Sequence, residues 1–221
     1  MENKNTEKDN ELKGNFSVAL GLFDYINPIL YSITSITILI NLFGVMKLPM
    51  YIIYAIGVAI SLVFGFTIPT VKVIVGTGKM QFKMPVNLVS YVNTGIFISG
   101  LMIFGYTLNV KPLVYVAIIV VALAVLGFIL SKSGKFNTVA VLIGAIGYLL
   151  IYISLITLSI RAGVTLPIIL YALAICLFLF LVGLGIKGDL KNAKVHWVIE
   201  ASNVCCQLSV AIATLILFCG K

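Results

Sequence analysis

Apolar residues run along this chain in stretches of about 20, the length that one helix needs to cross a bilayer, and each stretch is bounded by Lys, Pro or Asn. Seven such stretches are predicted as helices, at 22–45, 50–70, 86–108, 112–131, 136–160, 164–186 and 195–219. The connections between them are short. Only Met1–Asn15 reads as a polar extension, with four of the seven acids and three lysines. It is expected to be a disordered cytoplasmic tail, and not a signal peptide, because no short apolar core and small-residue cleavage site follow its charges. The expected fold is all-α, a membrane bundle spanning 16–221.

Composition agrees with that pattern. The chain has 221 residues, 61% hydrophobic and 10% charged, whereas a soluble domain carries roughly 25% charged residues. The net charge of +8 does not point to nucleic acid, because no basic stripe with interleaved aromatics occurs. The lysines fall instead at helix ends. With the amino terminus inside, 11 basic residues are cytoplasmic, Lys72 among them, and four are outside: Lys47, Lys111, Arg161 and Lys221. The positive-inside rule therefore orients the chain as a multi-pass cell-membrane protein with a cytoplasmic amino terminus and an external carboxyl terminus.

An internal similarity is visible. Leu48-Pro-Met-Tyr-Ile-Ile-Tyr-Ala55 opens the second stretch and Leu166-Pro-Ile-Ile-Leu-Tyr-Ala172 the sixth. Val86–Asn93 in the third matches Val195–Asn203 in the seventh, and Tyr25 and Tyr31 echo Tyr148 and Tyr152. These pairings predict two repeats in the same membrane sense, 22–108 and 136–219, joined by a connector helix over 112–131. This three-plus-one-plus-three plan resembles that of the SWEET sugar transporters and the PnuC-type vitamin transporters. The resemblance implies transport between two helical halves. It departs from those families in having no proline-glutamine motif, and the inside amino terminus departs from the SWEET arrangement. The chain is assigned to neither.

Polar groups inside hydrocarbon are costly unless paired or facing a polar cavity, so the few within these stretches are the candidate functional residues. Asn93 and Asn203 both fall near the midplane, and amides suit a small polar solute because they both donate and accept. The alternative is that each only bonds a neighbouring helix. His196, Glu200, Asn203 and Gln207 recur at intervals of four, three and four, one face of the seventh helix. On that face Glu200 reads either as a coupling or gating acid or as half of a salt bridge with Lys72. Tyr91 and Gln207 are expected to line the same path. Asp24 and Asn27 lie in the run Phe23-Asp-Tyr-Ile-Asn-Pro28, where proline removes a helical hydrogen bond and predicts a kink. Ser32, Thr34, Ser35 and Thr37 are expected to bond their own backbone.

Other chemistry finds no footing. Cys176, Cys205, Cys206 and Cys219 have no metal-binding spacing and read as apolar packing. Gly76-Thr-Gly-Lys79 lacks the spacing of a phosphate loop. No cofactor, metal site or catalytic motif is expected. The expected partners are the lipid bilayer and a small polar solute, with a homo-oligomer or a partner membrane protein also open. The second functional class consistent with the residues is a non-transporting membrane subunit or sensor that binds a partner protein or lipid.

The lysine distribution carries the first prediction. A cysteine placed at Lys83 should be protected from an impermeant thiol reagent added outside cells, and one at Lys111 should react; labelling of Lys83→Cys from outside would reverse the orientation.

Overall fold

The computed structural model describes residues 17–77, 88–109, 135–187 and 193–220, and among these every regular element is an α-helix. In chain order they are α1 (Val18–Asp24), α2 (Ile26–Leu42), α3 (Leu48–Gly76), α4 (Leu88–Thr107), α5 (Lys135–Ala162), α6 (Thr165–Lys187) and α7 (Ala193–Cys219). Together α1 and α2 make one broken span, so six helical segments are long and apolar enough to cross a membrane. The protein is a polytopic membrane protein. The predicted tail Met1–Asn15 and the predicted fourth helix at 112–131 lie outside the described residues.

The break in the first span falls at Tyr25, where α1 ends and α2 begins. Pro28 explains it. Its ring crowds the carbonyl of Asp24 four residues back and it offers no N–H to that carbonyl, so the helix cannot continue unaltered through 24–28. At the other end of the bundle, α3 and α6 begin with Leu-Pro, Pro49 and Pro167 taking early positions where a missing N–H costs nothing.

Each helix packs on the next, and α7 returns to pack on α2, closing the bundle. Side-chain contacts fix the helix directions. Phe23 meets Trp197 and Asn27 meets Glu200, so α1–α2 and α7 run parallel. Between α4 and α5, Asn93 meets Gly144 and Phe97 meets Gly147, so this pair is parallel too. The neighbours α3 and α4 run antiparallel, with Ser61 reaching Val92 and Phe64 stacking on Tyr91; α6 and α7 are likewise antiparallel, through Tyr171 to Thr214 and Cys206 to Ala174. These directions place Lys72, Lys135, Lys187 and Lys194 at one end and Lys47 and Arg161 at the other.

The α3, α4 and α5 helices pack through glycine. A Cβ on Gly57 would lie 2.8 Å from the carbonyl oxygen of Gly95, and one on Gly100 would lie 2.5 Å from that of Gly147. No side chain fits in either place, and the backbones touch. Around these seams the core is built from Ile96, Met102, Ile103, Tyr152, Leu155 and Tyr171, all almost fully enclosed. Outward faces carry large apolar side chains such as Ile40, Val63, Leu142 and Leu179, as a lipid-facing surface requires.

Three of the four cysteines depart from the expected packing role. Cys206 is buried, but Cys176, Cys205 and Cys219 are exposed on the helix surface. In a bilayer that surface is apolar, so a thiol there is as compatible with the sequence pattern as one in the core.

The glycine seams carry the second prediction. Gly95→Leu should destabilise the bundle by about 1–3 kcal/mol or more, as overpacking does, whereas Gly183→Leu, at a position with nothing within 4 Å of a built Cβ, should be close to neutral. Thermal unfolding of both variants in one detergent checks the contrast.

Candidate functional site

The charged side chains converge at the lysine-rich end. The two acids among the described residues, Asp24 and Glu200, share one cation: Lys72 Nζ lies 2.7 Å from Asp24 Oδ2 and 3.1 Å from Glu200 Oε1. Asn27 completes a ring from the opposite side. Its Nδ2 donates to Asp24 Oδ1 at 3.2 Å and to Glu200 Oε2 at 3.1 Å. Four side chains from α1, α2, α3 and α7 thus form one closed network. The three ionic side chains are only 11–12% exposed.

Local structure explains the convergence. The break at Tyr25 separates Asp24 from Asn27 by less than one turn and leaves both on the inward face. Tyr25 itself is anchored to α3 by a 2.6 Å hydrogen bond between its hydroxyl and that of Thr70, two residues before Lys72. Gly21 lets α1 lie against the α3 backbone there, since a Cβ at that position would be 2.9 Å from the Val73 nitrogen. On α7, Trp197 stacks at a tilt on Phe23, with ring centroids 5.5 Å apart, one turn before Glu200.

The network sits at the lysine-rich end of the bundle, near the boundary of the hydrocarbon. At 1.5 Å of rise per residue, Glu200 is about 28 Å from the far end of α7, and the apolar core of a bilayer is about 30 Å thick. Electrostatics make the network obligatory. A buried ion is tolerated only when paired and hydrogen-bonded, and removing one partner leaves the other uncompensated. The Glu200 pairing with Lys72 that the sequence allowed is present, but it is shared with Asp24 and Asn27. The alternatives read separately from each residue are parts of one arrangement.

Deeper in the bundle, further polar side chains are buried on α2 and α7. Gln207 is buried on α7. Tyr31 reaches Ser99 at a long 3.4 Å. Thr34 departs from expectation: its hydroxyl is buried with no partner, as is Asn27 Oδ1. Ser32 does bond its own backbone, through Pro28 O at 2.6 Å.

The other predicted residues are more dispersed. Asn203 is half-buried on α7, one turn beyond Glu200, and Asn93 is half-buried against Gly144 on α5. No hydrogen bond joins these two asparagines. Tyr91 stacks on Phe64 with ring centroids 4.4 Å apart, which places it on the α3 side of α4. The side chain of His196 lies outside the described residues. Among the described residues no group of three His, Cys, Asp or Glu is arranged to hold a metal ion.

No protein family matches this chain, and no curated protein and no solved structure matches it. The site is therefore argued from its own residues.

The third prediction concerns Lys72. Lys72→Met leaves two carboxylates facing each other and should cost about 3–5 kcal/mol, the range for breaking a buried ion pair. Lys72→Arg, which keeps the charge, should lose much less; equal losses in chemical unfolding would mean that the network carries no net electrostatic stability.

Proposed function

We propose that this protein is a transporter or facilitator of a small polar solute, with the solute held near the midplane between the halves 22–108 and 136–219 and the Asp24, Asn27, Lys72 and Glu200 network closing the cytoplasmic mouth. The observation that carries the reading is the placement of that network. Its charges tie α7, from the second half, to α1 and α3, from the first, at one end of the bundle. A packing helix has no need of three ionic groups at such a place, whereas a gate between two halves does.

The helix directions support the same reading. Each half runs in the order parallel, antiparallel, parallel, and each half meets the other through a parallel pair, α2 with α7 and α4 with α5. Two repeats related by an axis along the membrane normal require this relationship. The matched tyrosines Tyr54 and Tyr171 are both buried, at 2% and 0% exposure. In this reading Asn203, Gln207, Asn93 and Tyr91 contact the solute, with Tyr31, Thr34 and Tyr148 around them. Asp24 and Glu200 act as gating or coupling acids. No catalytic step is assigned.

Reconstituted vesicles offered a mixture of polar metabolites should accumulate one chemical class. Gln207→Leu should lower that uptake about tenfold while the protein stays folded, since losing a hydrogen bond to the solute costs ~1–3 kcal/mol. Glu200→Gln should change the rate through the gate. Absence of uptake of any metabolite by the wild-type protein would return the chain to the non-transporting membrane subunits.

A further inference from the structure

Two prolines interrupt neighbouring helices at the same level. Pro28 in α2 has no N–H for the carbonyl of Asp24, and Pro69, buried inside α3, has none for the carbonyl of Gly65. The two helices run antiparallel here, with Tyr25 bonded to Thr70 and Asp24 to Lys72, so the stretches 24–28 and 65–69 lie side by side. Their contact is direct. A Cβ built on Gly65 would lie 3.6 Å from the Cβ of Pro28. Helices bend where such bonds are missing, and one interruption in each of two adjacent helices makes a common axis.

Beyond that axis, toward the lysine-rich end, α1 and the last turns of α3 hold to each other. Gly21 lets α1 approach the backbone at Val73, Asp24 pairs with Lys72 at 2.7 Å, and the Tyr25 and Thr70 hydroxyls bond at 2.6 Å. Toward α7 it is side chains that meet: Phe23 tilts on Trp197, and Glu200 accepts from Lys72 and Asn27. Helix length also sets this end apart. α3 has 29 residues, and from Leu48 to Pro69 it has already risen about 32 Å, the thickness of the hydrocarbon core at about 30 Å. The turns after Pro69 therefore swing without opening a gap in the hydrocarbon.

We propose that α1 and residues 70–76 of α3 form one flap, which turns on Pro28 and on Gly65–Pro69 and closes the lysine-rich end by docking on α7. As it swings out, the Asp24–Lys72 pair travels with it, and the bonds to Glu200 are exchanged for water. Keeping acid and base together avoids stranding either charge, while Glu200 is hydrated as the cleft opens. This is hinge closure by a few residues at the ends of elements. That the swing admits a solute rests on the transport reading. The swing itself does not.

The test uses the full chain in lipid nanodiscs, with its four cysteines replaced by serine or alanine and pairs of spin labels at exposed positions. Leu22 with Ile74 reports on the flap itself, and Leu22 with Val198 on its distance from α7. Electron paramagnetic resonance reads both as distance distributions. Glu200→Ala removes the ionic tie to α7 and keeps the Asp24–Lys72 pair. It should add a longer component to the Leu22–Val198 distribution and leave Leu22–Ile74 unchanged. Where Glu200→Ala does not fold, Trp197→Ala loosens the same docking and should have the same effect. Pro28→Ala combined with Pro69→Ala restores both missing N–H groups and should remove the longer component; where the double variant does not fold, Pro69→Ala alone should shrink it. Lengthening of Leu22–Ile74 together with Leu22–Val198 would overturn the flap as a unit, and an unchanged Leu22–Val198 distance would overturn its motion. A longer component that survives replacement of the prolines would overturn the hinge. A swing without uptake of any metabolite would sink the transport reading alone, and uptake with a fixed Leu22–Val198 distance would sink this inference alone.

Discussion

A charge cannot be taken out of water unless something pairs with it, and the lysine-rich end of this bundle is organised around that constraint. Lys72 enters a region where the helix is already leaving the hydrocarbon, yet it turns back toward Asp24 and Glu200. Its position requires α1 to lie close to α3, which Gly21 permits, and requires α7 to present Glu200 on the same side. The break at Tyr25 then brings Asn27 beneath both carboxylates. Shift any of these elements by one turn and a buried acid loses its partner.

The two parallel seams of the bundle are built on opposite principles. Between α4 and α5, glycine allows backbone contact and the seam is close, with Gly144 and Gly147 pressed on Asn93 and Phe97. Between α2 and α7, Asn27 and Glu200 join the helices through the network. Dispersion forces in the first seam act only at contact. Electrostatic bonds in the second can be exchanged for others of the same kind.

The spans were legible because hydrocarbon imposes a long apolar run on any crossing helix. Their ends were less so. The second helix was expected to finish at residue 70 and continues to Gly76, because Lys72 is paired with side chains distant in sequence and does not end the helix. The kink at Asp24–Pro28 was readable from proline alone, and the acids were flagged one by one. Their union was not readable, since nothing in a single sequence says that residues 24, 72 and 200 meet. The pairing of Asn93 with Asn203 had a similar limit. Matching positions in two helices do not fix which neighbour each faces, and Gly144 takes up the side of Asn93. Thr34 was expected to bond its own helix like Ser32, and only the structure leaves its hydroxyl without a partner.

The single tryptophan of the chain, Trp197, packs on Phe23 across the joint between α1 and α7, one turn from the ionic network. Indole emission depends on the polarity and contacts of its surroundings, and no second indole competes with it. Any motion that parts α7 from α1 removes the Phe23 ring from this indole, so the gating step of the proposed function would carry a built-in optical signal that needs no attached dye.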